Sequence, residues 1–502
     1  MSSVAAPTWH YPEGYADRVE RPAAASAQQA GRLQARYDNA TTTPDNQRQW
    51  GAVDYLSAKA ANSFAVRRQL RNRSRYEVAN NPYLYGIVNG NADDLIGTGP
   101  TLQIQTGDAA YNREVEAAFN AWADEVNLTE KLRTCKLGRT VDGEGFLILK
   151  SAPSLEHPVK LFPVDVEADQ VTNPAPANLG EFWVDGVTLD PITERPTHYH
   201  VMAHHPGDYY FADFNPGKTA KVDAANVVHW YPKFRAGQVR GVPVFTPSLD
   251  LFLELRAFRR AVVRAAETAA DFAAVLEQEL GAAYEGTEDG AYTPFSTAPI
   301  KRGMFVTLPP RTKLHQMNAA QPATTYEGFQ QNCLAEAVRP LAYPLNLALG
   351  TSQRFNFSSA QLDHINYRNV LDVERADCER VVLAKLFRTW WFEAALAGAV
   401  RLWKGALTPP PFAWHWPGYQ PLNPLADAQT DAARIAGGTL TLQEFWAKRG
   451  RDYRDVLAQL AVEKNELAKL GLSFGDIVKR TVKRTETETK DGAEEKEPAN
   501  AA

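Results

Sequence analysis

Apolar positions recur every three to four residues over about 52–76, 81–96, 108–125 and 128–139, which predicts four amphipathic helices. From Gly143 the period shortens to two. GFLILK, VKLFPV, EFWVDGVTL, THYHVMA and NVVHWYP read as short strands separated by Pro, Gly and Asn turns, and this mixed block ends near Phe234. After Pro243 and Pro247, with Ser248 as a cap, a helix of roughly thirty residues is expected, Ala-rich in its second half. Residues 281–324 look irregular around one strand pair, GMFVTLPP and TKLHQM, and a return helix runs from Thr325 to about Tyr343. The polar loop Gly350 to Phe357 then leads, through Ser358 or Ser359 as N-cap, into a helix of almost forty residues. It carries no coiled-coil heptad, so several other elements must cover its length. Beyond the Pro- and Trp-rich TPPPFAWHWPGYQPLNP, helical pieces are expected at 424–436, 442–449 and 452–470.

The segment 71–105 shows how local chemistry sets these boundaries. Pro82 suits a first helical turn, where its missing N–H is not needed, and Asn80 or Asn81 can cap it. Tyr83, Ile87 and Asn91 share a face, with Leu84, Val88 and Leu95 beside it. Gly97 and Gly99 can take the positive-φ positions that stop the helix, and Pro100 prevents its continuation.

At 502 residues the chain is too long for one core, and the pattern is that of a mainly helical α+β protein of several domains. No apolar run is long enough to span a membrane, and the start MSSVAAPTWHYPEG lacks the basic and apolar regions of a secretory signal. With 54 Lys+Arg against 59 Asp+Glu the molecule is mildly acidic, which disfavours a tight duplex-gripping surface but permits transient DNA passage. Cys135, Cys333 and Cys378 form neither a disulfide framework nor a zinc pattern, and read as buried thiols. Residues 1–50 read as an arm ordered only on a partner, and 478–502 as a charged, disordered tail.

Arg256, Arg260 and Arg264 fall at i, i+4 and i+8 on the long helix, and like charges at that spacing need an acidic neighbour or a polyanion to offset them. His198, His200, His204 and His205 offer a two-His site on one strand face. A third ligand of matching spacing is missing, and Asp208 is the close carboxylate. On this cluster rests the alternative reading, a metal-dependent DNA-processing enzyme. The GTG at 97–99 and GEG at 143–145 lack the context and the lysine of a phosphate loop, and no GxSxG or HExxH motif occurs. No cofactor and no catalytic residue are expected.

Five stretches carry a resemblance. They are NNPYLYG…GTGP, VDGEGFLILK at 141–150, DAANVVHWYPKFRAGQVRGVPVF at 223–245, FNFSSAQLDHINYR at 355–368, and WPGYQPLNPLADAQ…GGTLTLQEFWAKRGRD at 416–452. In this order they resemble the lambda-type bacteriophage portal proteins, with Gln353-Arg354-Phe355 a departure before the Asn-aromatic-Ser-Ser run. The resemblance implies a cyclic ring, commonly of twelve copies, at one capsid vertex. Double-stranded DNA would pass along its axis without sequence specificity.

By that plan 51–245 is a wing, 246–280 and 325–345 are stem helices, and 281–324 is a clip. Residues 346–415 hold the tunnel loop and the long wing helix, and 416–477 form a helical crown. Thr351, Ser352, Gln353, Arg354 and Asn356 would line the DNA tunnel, with Arg354 pairing either with phosphate or with a neighbouring subunit. Arg256, Arg260 and Arg264 would face the channel or another subunit. The implied partners are further copies of the chain, the large terminase subunit, head–tail connector proteins, and the major capsid and scaffolding proteins. The implied setting is the virion's portal vertex, reached from the host cytoplasm during assembly.

Overall fold

The computed structural model describes residue 47 and residues 54–173, 183–208, 219–271, 275–278, 312–315, 325–353, 355–419 and 423–473. Expectations for the N-terminal arm, GMFVTLPP, most of 281–324, Arg354 and the tail 478–502 lie outside these residues. The chain divides into two units, Met1–Ser57 and Ala58–Ala502. The described part of the first carries no helix or strand, and the elements below belong to the second.

A single helical turn at Ala58–Ala61 is separated from helix α1 (Phe64–Asn80), so the helix expected over about 52–76 is interrupted near Asn62. The Asn62 amide donates to the carbonyls of Arg240 (3.0 Å) and Gly241 (3.3 Å), which ties the chain down before the helix can begin. Asn81 ends α1 and caps α2 (Pro82–Ile96) by accepting the Tyr83 N–H at 3.1 Å. Gly97 and Gly99 close α2 at φ 55° and 99°. Leu84, Ile87, Val88, Asn91 and Leu95 are its buried face. Strand β1 (Thr101–Ile104), α3 (Ala109–Glu125), capped by Asp108, and α4 (Leu128–Val141) follow.

Two antiparallel sheets come next. One contains β2 (Gly145–Ser151), β3 (Leu161–Val166) and β8 (Val227–Trp230) in the order β3-β2-β8. The other runs β4 (Trp183–Val184), β5 (Val187–Leu189), β6 (Pro196–Met202), β7 (Thr219–Asp223). Strand β2 is apolar from Phe146 to Leu149 because both of its faces are buried there. Leu147 and Leu149 join the main core, whereas Phe146 and Ile148 meet Val187, Tyr199, Val201 and Val227 in a second, smaller core.

The remaining chain is mostly helical: α5 (Leu249–Asp271), β9 (Val275–Gln278), β10 (Thr312–His315), α6 (Thr325–Ala337), α7 (Leu345–Leu349) and α8 (Phe357–Cys378). A π-helical turn at Glu379–Leu383 joins α8 to α9 (Ala384–Leu396). Strand β11 (Phe412–His415) then pairs with β1, Leu102 opposite Trp414. Helices α10 (Pro424–Ala436), α11 (Leu442–Ala447) and α12 (Tyr453–Lys469) complete the unit and bury none of their own side chains.

Two sequence expectations change. Helix α5 has 23 residues rather than roughly thirty, because Val275–Gln278 leaves it to pair antiparallel with Thr312–His315. The cap of α8 is Asn356, whose side chain accepts the Ser358 N–H at 3.2 Å, and not Ser358 or Ser359. Among the tryptophans, Trp390 and Trp391 are fully buried, and Trp414 and Trp416 nearly so. Phe119 sits among Trp122, Trp390 and Trp414 with ring centroids 5.1–5.6 Å away, near edge-on to the last two. All three cysteines are buried and unpaired, and burial pushes the Cys135 thiol up to about 12.

Candidate channel loop, basic helix and buried ion network

The polar loop lies between α7 and α8. Gly350, at φ 68°, ends α7, and the Thr351 N–H returns to the Asn346 carbonyl at 3.2 Å. At the other side the Phe355 N–H reaches the Ser352 carbonyl at 3.2 Å. Asn346, buried on α7, donates its amide to Nε2 of His364 on α8 at 3.2 Å, so one hydrogen bond clamps the base of the loop. Thr351, Ser352 and Gln353 project as exposed side chains. Asn356 is exposed but occupied as the α8 cap. Arg354 lies outside the described residues.

The helix that leaves the loop is anchored on α2. Tyr367 donates to Asp94 Oδ2 (3.0 Å) and accepts from the Asn91 amide (3.1 Å). Arg375 donates to the carbonyls of Leu95 (3.1 Å) and Asp94 (3.0 Å), placing a cation on the carbonyl-rich end of α2. Burial raises the Asp94 carboxyl above its ordinary range, partly offset by the Tyr367 hydrogen bond.

The arginine stripe of α5 splits. Arg256 finds the acidic neighbour, Glu77 of α1, at 2.6 Å, and its guanidinium lies 5.2 Å from the Tyr76 ring centroid. Arg260 and Arg264 are exposed, with no ion pair among the described residues.

The four histidines do not converge among the described residues. His200 is buried, 3.1 Å from the Thr188 hydroxyl, and His198 is half-buried on the same strand. His205 instead approaches Glu167 (3.4 Å) and Asp169 (3.6 Å), a grouping with the spacing of a cation site. The same carboxylate oxygens take Arg75, at 3.2 Å on Glu167 and 2.8 Å on Asp169, and Arg71 takes the other Asp169 oxygen at 2.7 Å. Two permanent guanidinium charges already neutralise the acids and repel a metal.

Sequence reasoning missed the densest polar feature, which centres on Glu144. Arg240 reaches its two oxygens at 2.6 and 2.9 Å, Arg71 at 3.2 Å, His229 at 3.1 Å, and the Gly241 N–H at 2.9 Å. Arg240 also donates to the Val171 (2.9 Å) and Ala168 (3.0 Å) carbonyls and to that of Asp185. Around this centre Arg67 pairs with Asp185 at 2.8 Å, and Arg75 holds Asp142 bidentately at 2.6 and 2.7 Å. Glycine permits the approach: at Gly143 (φ 89°) a Cβ would overlap the Val242–Pro243 backbone, and at Gly241 it would overlap the Gly143 carbonyl.

Burial alone would raise the Glu144 carboxyl, but Arg240 and the hydrogen bonds from His229 and Arg240 hold it well below the usual range. Burial pushes His229 down to about 4, so its neutral ring donates Nε2–H to Glu144 and accepts the Tyr199 hydroxyl at Nδ1, 3.2 Å away. A signal existed in the i, i+4, i+8 spacing of Arg67, Arg71 and Arg75, beside the GEG and RGVP stretches.

The ion-paired body thus turns a polar loop and a basic helix face outward. The family model "Phage portal protein, lambda family" matches residues 44–375, and the chain belongs to that family. Its function is that of a phage portal ring subunit. Comparison with curated proteins gives no match. Among solved structures the chain is similar to one in the neck of a native gene transfer agent particle computed with C12 symmetry: 14% identity, TM-score 0.39, covering 74% of this chain and 90% of that one. It is also similar to one in the neck of an empty particle computed with C6 symmetry, with 13% identity, TM-score 0.41 and coverage of 80% and 93%. A third is an HK97 family phage portal protein from Corynebacterium diphtheriae, with 12% identity, TM-score 0.28 and coverage of 58% and 85%.

Proposed function

We propose that about twelve copies of the chain close into a cyclic ring at one capsid vertex, through which double-stranded DNA enters during packaging and leaves during ejection. The observation that carries this reading is the family match across residues 44–375. In this reading 51–245 is the wing, 246–280 and 325–345 are the stem, 281–324 is the clip, and 416–477 is the crown. The large terminase subunit docks first and head–tail connector proteins follow, while the major capsid and scaffolding proteins surround the ring. The chain carries no chemical step of its own, and the virion is its final location.

Thr351, Ser352, Gln353 and Arg354 face the DNA in this reading, and Asn356 fixes the start of the helix behind them. Support comes from the exposure of Thr351 to Gln353 and the clamp at the loop base. Short polar groups exchange hydrogen bonds with phosphate and water at small desolvation cost. The Arg354→Glu variant tests the loop: rings are expected to assemble normally while DNA packaging in an infection assay falls severalfold. Unchanged packaging would remove the loop from the channel.

A further inference from the structure

Helix α1 contains five arginines and one carboxylate, FAVRRQLRNRSRYEVAN. The helical period sorts them. Arg67, Arg71 and Arg75 turn inward to Asp185, Glu144, Asp169 and Asp142, and the single acid, Glu77, is buried against Arg256. What remains outward between Arg68 and Tyr76 is Arg68, Gln69, Asn72, Arg73 and Tyr76, all exposed, with no carboxylate among them. This face continues onto α5. Arg256 lies over Tyr76, and Asn80, Asn81, Arg256 and Arg259 line one small cleft at the junction. Arg260 and Arg264 extend it by one and two turns, with exposed Glu254 and Glu267 toward the ends of the stretch.

Arg68, Arg73, Arg259, Arg260 and Arg264 form no ion pair among the described residues. Five guanidinium groups without an ion pair among the described residues, on two helices that meet at Tyr76 and Arg256, give a molecule of net charge −5 a locally basic face. Guanidinium groups only donate and phosphate oxygens only accept, so a regularly spaced phosphate chain complements the face. Polar Gln69 and Asn72 stand beside Arg68 and Arg73, while the exposed apolar side chains of these helices, Phe64 and Val66 on α1 and Leu253 and Val263 on α5, are scattered singly and form no continuous stripe for a lipid surface.

We propose that the outward face of α1, with Arg259, Arg260 and Arg264 of α5, binds the phosphate backbone of duplex DNA, at a place distinct from the loop at 350–356. The contact proposed is to phosphate, and is therefore sequence-independent. The biological sense rests on DNA being the cargo of the ring, but the binding is measurable by itself.

The test titrates the full-length protein with a labelled mixed-sequence duplex of about 30 base pairs between about 50 and 200 mM salt. The Arg68→Glu/Arg73→Glu variant is expected to bind roughly tenfold more weakly, with a shallower salt slope, and Arg68→Gln/Arg73→Gln to show a smaller loss of the same sign. Arg380→Glu, at an arginine 76% exposed in the π-helical turn after α8, serves as the charge control and is expected to bind like the wild type. Equal duplex binding by all variants would overturn the proposal. So would a charge-reversal variant whose sole defect is in ring assembly, or a face that captures phosphatidylserine vesicles and not duplex. Particle mass read on the same samples separates the two readings. Rings with unaltered duplex binding sink this face alone, whereas a monomer that loses duplex binding in the variant sinks the portal reading alone.

Discussion

At the scale of single residues, His229 is the most informative side chain. It is stacked 4.2 Å from both Phe146 and Tyr231, hydrogen-bonded at both nitrogens, and pushed down to about 4 from an ordinary value near 6.5. As pH falls below about 6.5 the unfolded chain takes up a proton that the folded chain refuses until about 4, so stability is full above that window and drains through it. The loss is of order 3 kcal/mol over the window. Glu144 adds to it lower down: its depressed carboxyl stabilises the fold above the ordinary carboxylate range and ceases to do so as acid protonates it. Denaturant unfolding of wild type and His229→Gln, whose amide keeps a donor for Glu144, is expected to show a drop between pH 6.5 and 4 in the wild type that is much reduced in the variant. Parallel pH profiles would show that His229 does not titrate as described. None of this was readable from NVVHWYP, where His229 is one polar position in a strand and its partner stands 85 residues away.

At the scale of elements, Glu144 joins pieces that the sequence shows only as separate matches. Strand β2 follows it, α1 supplies Arg71, β8 supplies His229, and the loop before α5 supplies Arg240 and Gly241. The DGEG and RGVP stretches were recognisable, and the reason for their glycines was not, because it lies in backbone contact between them. Glu144→Gln preserves shape and removes the charge, leaving buried Arg240 and Arg71 short of an anion. A loss of about 3–5 kcal/mol is expected in equilibrium unfolding, and a change below about 0.5 kcal/mol would contradict the network's structural role. Helix positions were the best-read elements, since α2, α3 and α10 follow apolar periodicity and local caps. The end of α5 was misread because local sequence favours helix there, while pairing with Thr312–His315 decides the outcome.

At the scale of the molecule, the chain separates inward from outward charge. Arginine and carboxylate meet in the interior around Glu144 and again at Glu374, which takes Lys136 at 2.5 Å together with Arg139. Outward, the arginines of α1 and α5 stand without partners among the described residues, the α10–α12 unit exposes Leu425, Leu457 and Val462, and α8 exposes Leu362 and Val373. A ring presents two different faces of every subunit to its neighbours, and the exposed apolar residues of α8 and of the α10–α12 unit suit such contacts. The most direct test is the mass of the purified full-length protein, by native mass spectrometry with negative-stain images of the same sample. The account predicts closed rings of roughly twelve times the 55.6 kDa chain, with an axial opening. A homogeneous 55.6 kDa monomer that persists at high concentration would contradict it.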